Sequence, residues 1–291
     1  MQMQTTAPVA ARVFQDVLVA VVNTREDEAA LRTADEICAQ TGGRITALLA
    51  SPLPNSFYAG DAYGGMEVWT TILAELRKEA KTEAGRLNTR LAKAASTVEF
   101  RTTELDYVLS RETVLMSARH ADVTVFSRLT TEGDRHFRRD LIETVLFQSG
   151  RPVLIAPPIW TKPYAFKSII VAWNASRESA RAVGDAIGLL EAADKVTLVT
   201  VDAAPATFGS GDAPGVDIAA HLAHRGVKVE LRNVDGMGRD AGACLLDTAR
   251  AVDADLIVLG GYGHTRMREF VFGGVTKRLL ETSEFPLFLS H

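Results

Sequence analysis

The chain has 291 residues, 47% of them hydrophobic and 23% charged, with a formal net charge of −4. That length suits two domains, each able to bury its own core, and the composition excludes extended disorder. A charge this close to balance gives no global attraction to nucleic acid or to an acidic membrane surface, so any anion site has to be local.

The N-terminal stretch "MQMQTTAPVAARVFQD" lacks the charged-then-apolar pattern of a secretion signal. No apolar run reaches membrane-spanning length. Cytoplasmic residence is therefore the expectation. Cys38 and Cys244 show no metal-ligand spacing and read as small apolar core residues inside helices.

In chain order, β-branched runs predict strands at 17–21 and 44–49, then a long helix rich in Lys, Glu and Ala over 66–95. Its stripe of Leu73, Leu76, Ala80, Ala84 and Leu87 reads as a core face, and Glu75, Arg77, Lys78, Glu79 and Lys81 as its solvated side. Further strands follow at 98–103, 123–126 and 153–156. "PPIWTKPY", residues 157–164, is a proline-stiffened connection. Beyond it come a strand at 169–173, a helix over 177–190 capped by Ser176, and a strand at 196–201. A helix at 216–224, a strand at 227–234, a helix at 241–251, a strand at 256–259, a helix at 275–282 and a strand at 286–290 complete the chain.

The order repeats because the chain is written twice. "DVLVAVVNTREDEAALRTADEI" from Asp16 resembles "SIIVAWNASRESARAVGDAIGL" from Ser168, "HADVTVFSR" resembles "DADLIVLGG", and "ETVLFQSGRPVLIAP" resembles "KRLLETSEFPLFLSH". A period of half the chain marks a duplicated domain, here 1–158 and 163–291. Strand–helix alternation with continuously apolar strands predicts an α/β fold with two doubly wound, mostly parallel, Rossmann-like sheets. Ligands of such sheets bind beyond the carboxyl ends of the strands.

That edge carries "VLGGYGHTRMREFVFGGVTKRLL". A P-loop is excluded because no Lys-Ser or Lys-Thr follows the glycines, and GxGxxG fails at Arg266. What stands is Gly260-x-x-Gly263, nine residues, then Gly273-Gly274 opening a helix. The first pair allows a loop to pass close over a ligand, and the second leaves amides free at a helix N-terminus, where a phosphate is favoured. His264, Arg266, Arg268, Lys277 and Arg278 add polar or charged side chains nearby.

With its spacing and its strand–helix–strand context, this segment resembles the C-terminal signature of the universal stress protein family, and the duplication resembles its tandem members. The resemblance implies a pseudo-dimer joined near the last strands, a stress-response role, and ATP or a related adenine nucleotide as ligand, with Mg²⁺ able to accompany it. It implies contacts from Asn174, Val201, Gly260, Gly263, Gly273 and Gly274. Two positions depart from the family pattern. Asn174 replaces an acidic residue, and Gly274 stands where Ser or Thr would donate a hydroxyl; each lost bond costs roughly 0.5–1.5 kcal/mol.

In the first half, Ser127 and Thr130 take the place of the first glycines, and Arg139-Asp140 that of the second pair. The site there is expected to be dead, with Asp140 at a helix start occupying the anion position. The basic run Arg135 to Arg139 reads as a solvated helix start opposite Asp134 and Asp140 rather than a nucleic-acid patch. His221 and His224 read as surface histidines, and Asp202 and Asp235 as turn or capping residues. Three functional readings stay open: a nucleotide-binding regulator acting on a protein partner, a nucleotide-free interaction scaffold, and a slow ATP-hydrolysing or nucleotidyl-transferring enzyme. Whether the chain also forms a homodimer is left open, as is the role of residues 54–65.

Overall fold

The computed structural model describes residues 13–51, 66–103, 107–129, 135–203, 214–261 and 274–291. In the first half, β1 (Asp16–Val21), β2 (Arg44–Ala50), β3 (Thr97–Thr103), β4 (Val123–Ser127) and β5 (Val153–Ala156) alternate with α1 (Glu28–Thr41), α2 (Met66–Leu91), α3 (Tyr107–Ala118) and α4 (Arg135–Gln148). The second half follows with β6 (Ser168–Ala172), α5 (Arg177–Asp185), α6 (Ile187–Ala192), β7 (Lys195–Val201), α7 (Val216–His224) and β8 (Val229–Val234). It closes with α8 (Ala241–Ala251), β9 (Leu256–Gly260), α9 (Gly274–Thr282) and β10 (Leu287–Ser290).

The strands make one ten-stranded sheet in the order β3-β2-β1-β4-β5-β10-β9-β6-β7-β8. Within each half the pairing is parallel, with the first and fourth strands adjacent. The halves join through one antiparallel pair, β5 with β10, in which Phe288 lies opposite Leu154. The expected pairing near the last strands is therefore present, and it merges the two sheets into one.

Alternation along each strand feeds two cores. Val17, Val19 and Val21 face α1, α5, α6 and α7, whereas Leu18 and Ala20 face α3, α4, α8 and α9. Phe288 is fully buried at the junction, its ring 6.4 Å from that of Phe14. Burying such a side chain contributes roughly 1.5–3 kcal/mol. The linker is fastened to the second half: Trp160 packs edge-on to Phe285 at 6.2 Å, and Lys162 donates to the carbonyls of Asp253 and Ala254 beyond α8.

Several expectations shift. The single helix over 177–190 is two, divided at Ala186, where the backbone opens to φ −87° and ψ −1°. The strand expected from 227 begins at 229, because the Val227 amide is turned back onto the carbonyl of Leu222. The long helix stops at Leu91 instead of 95, and the chain beyond it is held by Asp35, which accepts from the amides of Ala95 and Ser96. Of its apolar stripe only Leu87 is fully buried; Leu73, Leu76 and Ala80 are half-buried. Cys38 and Cys244 are free and buried, as expected.

Candidate functional site

Parallel strands present their carboxyl ends on one edge of the sheet, and each half places the start of its first helix there. In the second half, pairing sets Ala172 beside both Val199 and Leu259. Asn174, Val201 and Gly260 therefore end three adjacent strands on one edge. Asn174 is exposed and its Oδ1 accepts from the amide of Ser176, which leaves the Asn174 side-chain NH₂ facing outward as a donor. Ser176 caps α5 through its hydroxyl, which accepts from the amide of Ser179 at 3.1 Å. Val201 is half-buried with its side chain against the core under α8 and α9.

Gly260 has a structural reason beyond the loop clearance expected of it. A Cβ there would stand 2.5 Å from the backbone of both Glu178 and Ser179, so glycine lets the first turn of α5 close onto the end of β9. Gly274 is different. It is exposed at the start of α9, and a Cβ there would meet nothing within 4 Å. Arg278, one turn further on, lies 3.3 Å from Asp240, the N-cap of α8, so α8 and α9 begin at this same edge. Gly263, Gly273, His264, Arg266 and Arg268 lie outside the described residues.

The edge is also where the backbone is strained. Ala175, Asp202 and Met237, just past the ends of β6, β7 and β8, have φ of 56°, 50° and 48°. Left-handed backbone at a residue with a side chain costs on the order of 1–3 kcal/mol and is tolerated where the surroundings fix it. Asp202 accepts from the Gly236 amide at 2.7 Å, and Asp235 from that of Met237, which are the turn roles expected of them.

The same edge of the first half is filled by the protein's own side chains. Ser127, ending β4, accepts from the Ala30 amide in the first turn of α1. Glu83 reaches over from α2 to accept from the Thr24 amide in the β1–α1 loop at 2.5 Å. Burial pushes the Glu83 carboxyl up, but the hydroxyl and amide of Thr24 and the Arg86 guanidinium outweigh it and hold the pKa below the usual range. Asp27 is fully buried. One of its oxygens accepts from the amides of Val22 and Asn23, and the other is paired with Arg138. Burial raises the Asp27 pKa against the pull of Arg138 and those amides.

Asp140 does not stand at a helix start: α4 begins at Arg135, so Asp140 lies inside it. Nor is the basic run a solvated face. Arg138 is buried on Asp27 and Glu26, while Arg135 and Arg139 turn to Glu281 of the second half. Thr130 and Asp134 fall outside the described residues. His221 and His224 are exposed on α7, as expected. Among the described residues no cluster of His, Cys, Asp or Glu is arranged to hold a metal, and no helix is long and apolar enough to cross a membrane.

A mostly parallel sheet with helices on both faces, its first and fourth strands adjacent in each half, defines a Rossmann-like fold. Residues 165–291 match the universal stress protein family in sequence. A universal stress protein from Archaeoglobus fulgidus DSM 4304 shares the fold over 94% of this chain and 95% of its own, with a TM-score of 0.68 and 15% identity. A putative universal stress protein from Pseudomonas aeruginosa UCBPP-PA14 does so over 97% and 94%, with a TM-score of 0.55 and 14% identity. No curated protein matches the sequence.

Proposed function

We propose that the protein is a stress-response regulatory binding protein of two domains, 1–158 and 163–291. The second binds ATP or a related adenine nucleotide with little or no turnover, and the first binds none. The observation that carries this reading is the contrast between two equivalent edges. In the first half Ser127 accepts from the Ala30 amide of α1 and Glu83 from the Thr24 amide before it, whereas the second half has no side chain at Gly260, the position equivalent to Ser127, and a Cβ at Gly274 would meet nothing within 4 Å. Free amides at a helix N-terminus favour an anion through the helix dipole.

In this reading Gly274, with Gly263 and Gly273, receives the phosphates, Val201 lies beside the base, and Asn174 meets the ribose side with its NH₂ donors. Bound Mg²⁺ would supply charge neutralisation to the phosphates. Slow turnover is proposed because the edge carboxylates are already committed: Asp202 and Asp235 accept backbone amides, and Asp240 caps α8 while pairing with Arg278. Occupancy is proposed to bias a surface read by a protein partner in the cytoplasm. Nucleotide-free scaffolding is the second reading, favoured by the commitment of the Asn174 oxygen to Ser176.

Isothermal titration with ATP separates the two. The proposal expects saturable heat that weakens in Gly263→Val and is unchanged in Ser127→Ala. No heat and no thermal shift at millimolar ATP would leave the scaffold.

A further inference from the structure

The far end of α9 is held by the other half of the molecule. α9 has nine residues, from Gly274 at the candidate phosphate end to Thr282. Arg128, the residue after β4, donates through Nη1 to the carbonyl of Glu281 in the last turn. Arg135, at the start of α4, pairs with the Glu281 carboxylate, and Arg139 stands 3.5 Å from the same oxygen. Both Glu281 and its partners are largely shielded, the Glu281 side chain being 27% exposed. Three cations from the first half thus converge on the negative end of a helix dipole whose positive end opens on the nucleotide edge.

At the residues that follow β4 and β9 the contacts between the halves are unequal. Arg128 and Gly261 are equivalent positions: the amide of each extends its strand by bonding Ala156 and Ser290 respectively, both at 2.8 Å. Where the first half projects an arginine, the second has no side chain, and a Cβ at Gly261 would stand 2.7 Å from Leu146 of α4. At these positions the second half receives a polar clamp and returns an apolar contact, while elsewhere Arg181 of α5 donates to the Gly150 carbonyl beyond α4.

We propose that Arg128, Arg135 and Arg139 are positioning residues for the anion site at the N-terminus of α9, so that the half with the filled crevice completes the half with the open one. The functional part of this inference rests on the nucleotide reading given above. Fixing α9 at its C-terminal turn sets where its first amides point. By linkage, an anion bound at Gly274 tightens the clamp, so α4 senses occupancy of a site it does not touch.

The test uses the full chain and Glu281→Gln, which removes the charge and keeps the carbonyl that Arg128 binds. Without ligand, amides 275–278 should exchange hydrogen faster in the variant than in the wild type. With ATP as probe, the Kd should rise about two- to fivefold through lost positioning, and ATP should slow exchange across 135–148 in the wild type but not in the variant. The charge-swapped double variant Arg135→Glu with Glu281→Arg should recover much of the affinity, which a bulk stability effect would not do. Unchanged exchange at 275–278 would overturn the clamp. Wild type that binds no ATP would sink the nucleotide reading alone, since the ligand-free exchange still decides the clamp. Should Glu281→Gln fold poorly, Arg139→Gln gives the same comparison with a smaller perturbation.

Discussion

At the carboxyl edge of the sheet, two copies of one fold meet the same physical demand differently. A helix beginning against a strand end leaves amides without internal partners. In the first half these are met from within, by the Ser127 hydroxyl on Ala30 and by the Glu83 carboxylate on Thr24, with the Asp27–Arg138 pair closing the floor. In the second half Gly260 stands where Ser127 does, Ser176 caps the start of α5, and left-handed residues follow three successive strands. A side chain that satisfies an amide makes a stable edge, whereas an amide left to solvent makes an edge that can change occupant. The comparison teaches that a crevice closes through polar groups supplied at helix starts more than through bulk.

The sharpest way to break the comparison is to empty the first edge. Arg138→Met strands a buried carboxylate, and equilibrium unfolding at pH 7 should show a loss of about 3–5 kcal/mol. The Asp27 pKa is raised in the folded state, so ionised Asp27 detracts from stability above its unfolded pKa. Without Arg138 that effect grows, and the gap to wild type should narrow as the pH falls toward about 4. A loss that stays constant with pH would point to packing instead.

Glu83→Gln should cost about 1.5–3 kcal/mol at pH 7, the range for a hydrogen bond to a charged group. The Glu83 pKa is depressed in the fold, so its contribution is present above the unfolded carboxyl pKa and is lost as the pH falls through the folded value. Unfolding curves of variant and wild type should then converge in acid. ATP titrations should not distinguish them.

In the second half, Gly260→Ala forces a methyl onto the backbone of Glu178 and Ser179, and denaturation should show a loss of about 1–3 kcal/mol. Ser127→Gly at the equivalent place should cost about 1 kcal/mol, the net worth of one hydrogen bond. The smallest change sharpens the contrast most. Gly274→Ser adds a hydroxyl where space is open, so thermal melting should hardly move while ATP affinity rises by up to about tenfold. Unaltered affinity would remove Gly274 from the phosphate contacts.

Most of the fold could be read from the amino acids because its signals are local and repeated. Apolar β-branched runs such as 169–171 and 256–259 mark buried strands, Ser176 marks a helix start, and the duplication fixes the order of elements twice over. Boundaries failed where tertiary contacts decided them, as at Asp35, which anchors the chain after α2, and at Ala186 between α5 and α6. The candidate edge was legible through its glycines, although Gly260 also answers to helix packing. The filling of the first edge was not. Nothing local separates Arg138 from its basic neighbours, since only the fold brings Asp27 to it across the sheet, and Glu83 lies on a helix whose exposed face is otherwise charged.

The β5–β10 junction sets what this arrangement can become. At its midpoint Phe288 faces Leu154, equivalent positions occupied by unlike residues. An assembly of identical subunits must carry every substitution on both sides of its axis. A single covalent chain is free of that rule, and its two lobes stay together at any dilution. One lobe is therefore free to fill its edge with its own side chains and to carry arginines for its neighbour without the other having to follow.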